Sequence, residues 1–283
     1  MQEVATGYGL IEGPLWDAGR GLFFTDVQNG GIHLLGLNGE ISTVLPKRRG
    51  VGGLALHEDG GLIFGGRDIS YSDLKGGGSV LLTPAAAMPG AIGFNDLTTD
   101  NQGRVFVGSL AYVVFGGGEA KPGGLHVIEL DGSSRQLSGG VMLTNGLGFS
   151  PDGRRLYHSD SQSELVRAYE VSAPGEVGDW TPLTKFPPRG TPDGLKVAAD
   201  GSVWVADAGA GRVAVFEPDG THRMDIKVPL PMVTSVCFGG DDLMDLYIVT
   251  GSRGGPGGDC GTIYKTRADV AGLPLAKAKV PHQ

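Results

Sequence analysis

Four residues with hard oxygen side chains, Glu12, Asn95, Asn145 and Asp193, open four similar segments: EGPLWD, NDLTTDNQG, NGLGFSPDG and DGLKVAADG. Each stands the same short step before a second hydrophobic run. Two carboxylates and two amides brought to one place are a donor set for a hard divalent cation rather than the lining of a packed core. Taken singly, Asn-Gly and Asp-Gly are turn signals. Turn chemistry does not require Glu12, nor does it require all four to share one repeat position, so the set reads as a cation site.

The elements that must position these residues recur six times. The second strands read GRGLFFTD, DGGLIFGG, NQGRVFVGS, DGRRLYHSD, DGSVWVAD and LMDLYIVTG. Their starts lie about 40 to 50 residues apart, the period of four-stranded blades that stack radially into a closed ring. The expected fold is all-β, a six-bladed β-propeller, with residues 1–283 forming one domain. In such a ring the first strand of each blade lines the central channel. The six equivalent positions are Glu12, Gly52, Asn95, Asn145, Asp193 and Ser235, all at one end of the channel and facing the axis, and Gly52 and Ser235 leave a side open for ligand. Glycine, at 51 of 283 residues, suits many tight strand connections. No long amphipathic helix is evident.

A formal charge of −8 opposes nucleic acid and anionic membrane surfaces as partners, since both need a basic footprint. Lys47, Arg48 and Arg49 make the only basic run and read as a solvated loop. No apolar stretch reaches the roughly 18 residues of a membrane span, and the start lacks the pattern of a signal peptide, so a cytoplasmic protein is expected. Neither Cys237, in an inner strand, nor Cys260, in a glycine-rich loop, belongs to a CxxC pair, and a free buried thiol is expected for Cys237. HExxH, Walker A and GxSxG motifs do not occur. Gly209, Gly211 and Ala214 match a dinucleotide fingerprint, but a strand follows them instead of a helix, so the match reads as a hairpin turn. His33, His57, His126, His158, His222 and His282 share no metal-ligand spacing, and surface or packing roles are expected for most of them.

The segments EGPLW, FNDLTTDNQGRVFVG, NGLGFSPDGRRLYHSD, PDGLKVAADGSVWVA and TSVCFGGDDLMDLYIVT resemble, in order and over nearly the whole chain, the senescence marker protein/gluconolactonase/luciferin-regenerating-enzyme family. That resemblance implies a six-bladed propeller with one catalytic divalent cation. It makes Glu12, Asn145 and Asp193 the metal ligands and Asn95 a contact for substrate or a metal-bound water. Calcium is the leading expectation for the ion, with magnesium, manganese, zinc and iron as alternatives. The implied substrate is a small-molecule lactone or ester. Where sugar-lactone hydrolases of the family carry an arginine two residues before the asparagine matched by Asn95, this chain has Gly93, so a smaller or more apolar ester is expected than an aldonolactone.

A dication at the channel mouth would polarise the substrate carbonyl while water attacks, with Asp193 the candidate general base and Glu12 chiefly a ligand. Asp26, Asp160 and Asp207 end second strands near the same face, where they would either orient the site residues or satisfy strand ends. The loop 111–124, with Val113, Val114 and Phe115, suits an apolar lid. In the loop 252–261, Arg253 reads as solvated, or alternatively as a cation for the pocket. Two other functions fit the same residues: phosphotriester hydrolysis on the same metal, and a non-catalytic binding propeller with structural calcium.

Overall fold

One device repeats at the tip of every blade. Asp17, Asp59, Asp100, Asp152, Asp200 and Asp242 each use Oδ1 to accept the amide hydrogen two residues ahead, from Gly19, Gly61, Gln102, Arg154, Ser202 and Met244, at 2.9 to 3.0 Å. The side chain thereby closes the turn in place of a backbone bond, which is why aspartate punctuates the sequence repeats. On either side of these turns, apolar residues pair as antiparallel strands.

The computed structural model describes residues 1–76, 78–116, 118–188 and 190–282. Its strands form six four-stranded antiparallel sheets, the six-bladed β-propeller expected from the repeats. The innermost strands are Ile11–Asp17, Leu54–Leu56, Gly93–Thr99, Thr144–Phe149, Pro192–Val197 and Val233–Gly239. Among the described residues the helical turns are two short 3-10 segments, Ala85–Ala87 and Ser161–Ser163, and no helix is long and apolar enough to cross a membrane. The dinucleotide-like glycines fall in the turn between Val203–Asp207 and Arg212–Phe216, a hairpin as expected. Cys237 and Cys260 are both free, and burial raises the Cys237 thiol to about 11.

Hydrophobic packing sits between blades rather than within them. Six apolar clusters straddle the six junctions; at one of them Trp204 of blade five meets Phe238 of blade six edge-on at 5.2 Å. Each blade therefore depends on both neighbours for burial. The ring closes through the start of the chain: Gln2–Tyr8 supplies the outer strand of blade six by pairing with Gly261–Arg267. The chain end, residues 274–282, runs beneath blades two and three, where Ala278 and Val280 are buried.

Removing residues 1–8 should leave the Gly261–Arg267 edge unpaired and the hydrophobic face around Ile263 uncovered, which invites strand addition from another chain. The expected outcome is a Tm several degrees lower and self-association on size exclusion, at a cost of at least about 2 kcal/mol from lost apolar burial. A monomeric variant with unchanged Tm would show that the closing strand contributes nothing.

Candidate active site at the channel mouth

The inner strands slip register where the oxygen side chains sit. Pairing jumps from Glu12 to Leu15, from Phe94 to Leu97, from Thr144 to Leu147 and from Pro192 to Leu195. The skipped residues begin with Asn95, Asn145 and Asp193 in blades three to five and directly follow Glu12 in blade one. Bulges of this kind re-aim side chains out of the pleat, and here they turn all four toward one cavity of about 630 Å³. Gly52 and Ser235 supply no such group. A Cβ at Gly52 would collide with the Asn95 amide oxygen, so the room left by this glycine is filled by Asn95.

A chain of hydrogen bonds sets the two amides. Ser161 Oγ donates to the Pro192 carbonyl at 2.6 Å and accepts from Asn145 Nδ2 at 2.7 Å. The Asn145 carbonyl oxygen is thereby turned inward, where Asn95 Nδ2 donates to it at 2.5 Å and also to the Thr144 carbonyl at 2.8 Å. Glu12 and Asp193 are buried, and Asp193 Oδ1 is fully covered with no hydrogen-bond partner among the described residues. Buried carboxylate oxygens are rarely left so.

A third carboxyl, Asp96, is also buried beside them. The sequence reading did not single it out, and only the bulge reveals that it joins the electrostatic cluster. Burial, and then the charges of Asp193 and Asp96, hold Glu12 well above the usual carboxylate range. Burial and then Asp96 do the same to Asp193, opposed by the Gly194 amide and the Arg253 charge. Burial raises Asp96 to about 6 despite the Lys196 charge. Three carboxyls thus crowd a site that disfavours their ionised forms until positive charge is supplied.

Asp26, Asp160 and Asp207 tie down the chain just ahead of Glu12, Asn145 and Asp193. Asp26 accepts the amides of Gly9 and Leu10 at 3.0 and 3.3 Å, Asp160 those of Met142 and Leu143 at 3.1 Å, and Asp207 that of Thr191 at 3.0 Å. In blades two, three and six, Gly66, Ser109 and Thr250 end the second strand instead. The strand-end bonding and the orienting role expected of these aspartates are therefore one arrangement, since each bond fixes the backbone two or three residues from a site side chain. Arg167 and Arg212 complete the pattern by pairing with Asp160 at 2.6 Å and Asp207 at 3.1 Å.

The rest of the cavity wall is largely apolar and includes Leu10, Ile92, Phe94 and Met232. The loop expected over 111–124, of which Gly117 lies outside the described residues, gives its last two residues to the strand Gly123–Ile128, and after the strand Val105–Leu110 it brings Tyr112 to Phe115 to the wall. Phe115 is 68% exposed although it faces the cavity. Arg253 is exposed and still lines the cavity, so both readings of this residue hold. Arg67 does the same from blade two, and the sequence reading missed it: the Cβ direction of Gly93 comes within 3.9 Å of the Arg67 Cα. An arginine thus follows on the neighbouring blade beside the position where Gly93 offers no side chain. Of the histidines, His126 and His158 are buried packing groups whose basicity burial lowers to about 4 and about 3. Folding also gathers His57 and His282 with Asp59, beyond the opposite end of the inner strand Leu54–Leu56, a meeting the sequence reading did not foresee.

Fold and site together define a propeller with a carboxylate and amide cluster at its channel mouth, and comparison with known proteins gives this class a name. The model of the SMP-30/Gluconolactonase/LRE-like region matches residues 10–252, and the chain belongs to that family. It is 32% identical over 278 residues to 6-deoxy-6-sulfogluconolactonase of Pseudomonas putida, covering 93% of this chain and 92% of the relative. It is 30% identical to pentonolactonase XacC of Haloferax volcanii, over 95% and 90% of the two chains. Among solved structures, a luciferin-regenerating enzyme superposes with a TM-score of 0.86 at 22% identity over 98% and 97% of the two chains. The calcium-binding protein regucalcin of Agrobacterium tumefaciens gives 0.82 at 19% over 99% and 96%. At these identities the structural likenesses speak for the fold alone.

Because folding raises the proton affinity of Asp96, the native protein binds more protons than the unfolded chain between the ordinary carboxylate range and about 6. The stability tied to this group is complete below that window and lost as pH rises through it. In chelator, Asp96→Asn should therefore match the wild type near pH 4 and exceed it at pH 7 by on the order of 1–3 kcal/mol. Thermal melts of both proteins across that range provide the test, and a gap independent of pH would show that Asp96 carries no such strain.

Proposed function

We propose that this chain is a lactone hydrolase working with one divalent cation, held at the channel mouth by Glu12, Asn145 and Asp193. The observation that carries the reading is the orphaned Oδ1 of Asp193, set in a cluster of buried carboxyls to which no arginine or lysine is hydrogen-bonded among the described residues, the Lys196 and Arg253 charges acting only through space. The all-oxygen donor set suits calcium, magnesium or manganese best. The activities named for the Pseudomonas and Haloferax relatives, both lactonases, support the reaction class. When bound, the cation supplies Lewis acidity toward the lactone carbonyl.

The chain's own residues do the remaining work. Asp193 is the carboxylate that would receive the proton of the attacking water. Asn95, whose Nδ2 is committed to Thr144 and Asn145, keeps its carbonyl oxygen for a water or substrate hydroxyl. The bond from Ser161 fixes the Asn145 amide, so it needs no reorganisation during the reaction. The apolar wall accommodates the body of the lactone, and Arg67 and Arg253 face its polar edge. This division favours a lactone with an apolar body and an oxygen-rich or anionic edge over a uniformly hydroxylated sugar lactone.

A hydrolysis screen of chelated protein, with and without added cation, over lactones of varied ring size and polarity tests the class, and paraoxon-like esters in the same screen separate out phosphotriester hydrolysis. Glu12→Gln, Asn145→Ala and Asp193→Asn should each weaken cation binding by calorimetry and lower kcat/KM by roughly 100-fold or more, with the fold retained. Unchanged cation affinity in all three would refute the site.

Arg67→Ala should raise KM about tenfold for a lactone bearing a carboxylate, the scale of one charge-assisted hydrogen bond. It should leave an unsubstituted lactone of the same ring size nearly unaffected. Equal effects on both substrates would mean that Arg67 does not meet the substrate. This test is cleaner than Gly93→Arg, because a Cβ at position 93 already stands 3.0 Å from the Gly66 carbonyl.

A further inference from the structure

At the far end of the inner strands, away from the cavity, the turn after Leu54–Leu56 meets the end of the chain. His57 Nε2 lies 3.0 Å from the Val280 carbonyl, which can only accept, so that nitrogen carries the hydrogen. His57 Nδ1 then presents a lone pair. It lies 2.8 Å from Asp59 Oδ1 and, less closely, 3.4 Å from the Asp59 amide. His282 Nε2 lies 2.6 Å from the other oxygen of the same carboxylate. One donor atom from each of the three residues falls within 4.8 Å of the others. A lone pair against a carboxylate oxygen is repulsive unless positive charge stands between them, either as a second proton on the His57 ring or as one shared cation.

The surroundings favour the cation. A metal-binding imidazole commonly donates its second ring hydrogen to a backbone carbonyl, and a ligating carboxylate is itself hydrogen-bonded. Here His57 donates to Val280, and Tyr71 donates its hydroxyl to Asp59 Oδ2 at 2.8 Å. The Tyr71 ring also stacks on His282 with centroids 3.8 Å apart and planes 8° from parallel, which fixes the ring that comes from the chain end.

We propose that His57, Asp59 and His282 form a second cation site, independent of the channel mouth, for an ion of the zinc class, and that the ion pins the chain end to the base of the propeller. Two imidazoles and one carboxylate are a zinc-type donor set with one position left for water, unlike the all-oxygen set at the mouth. The pinned segment already pairs with the blades: Ala278 donates to Leu56 at 2.7 Å and accepts from Glu58 at 3.0 Å, and Lys279 donates to Gly103 at 2.9 Å. A cation held by His282 would close this register from its free end.

Cobalt, a spectroscopic stand-in for zinc, tests the site in the full-length protein. Titration of the Glu12→Gln, Asp193→Asn double variant should give visible bands of low-coordinate cobalt at one equivalent per chain, competed by zinc. His282→Ala and, separately, His57→Gln should weaken that binding at least about tenfold. Zinc should also raise Tm and slow proteolysis of the chain end in the wild type but not in His282→Ala. Equal cobalt affinity in wild type and His282→Ala overturns the proposal. So does a protein that ignores zinc while its chain end loosens as pH rises through the imidazole range, which would identify a clasp of protonated histidines. Failure of the channel-mouth reading would leave these results unaffected, because the spectra are recorded with that site disabled.

Discussion

Like charges held close together out of water are the constraint on which this molecule is organised. Glu12, Asp96 and Asp193 are buried within electrostatic reach of one another, and left alone they would separate or stay protonated. They remain together because the backbone beneath them is not free to move. The register slips of the inner strands give the side chains their direction. The aspartates at the ends of the neighbouring strands hold the chain entering each slip. The interblade clusters behind those strands then convert a local arrangement into a rigid one. Rigidity and electrostatic strain are two aspects of one design, since a scaffold that relaxed would scatter the carboxyls.

The same logic separates the two ends of the channel. At the mouth, carboxyls and amides converge with no protein cation bonded to them among the described residues, and Arg253 and Lys196 act through space. At the base, one carboxylate is shared by two imidazoles and a phenol. The first arrangement suits hard ions and a site open to solvent, whereas the second suits a softer ion in a structural fastening. One fold thus presents two different chemistries at the ends of one set of strands.

Much of this was legible in the sequence where the repeat carries the information. The blade count and the shared position of Glu12, Asn95, Asn145 and Asp193 follow from matching the six copies, because rotation about the axis maps equal sequence positions onto equal heights in the channel. Asp96 was not legible, since strand alternation alone points it away from its neighbour's face and only the bulge redirects it. Arg67 was hidden for another reason: it belongs to blade two, while the position it flanks, Gly93, belongs to blade three, and proximity across a junction leaves no mark in either segment. The meeting of His57, Asp59 and His282 depends on where the chain end lies after folding. The outer strand formed by Gln2–Tyr8 escaped notice because it lacks the phrase shared by the repeats.

That strand gives the ring a seam. The Thr6 and Thr262 hydroxyls touch at 2.8 Å across a sequence separation of 256 residues, so the ring is fastened by segments far apart in sequence. Leu10 and Glu12, on one side of the seam, and Met232 and Arg253, on the other, line the same cavity. The cavity wall is therefore shared by segments that lie far apart in sequence. Until they meet, blade one has no neighbour on one flank and the carboxyl cluster has no complete wall. Closure across so long a separation is slow compared with local strand pairing, and a substitution at the seam acts on the cavity wall as well as on the ring.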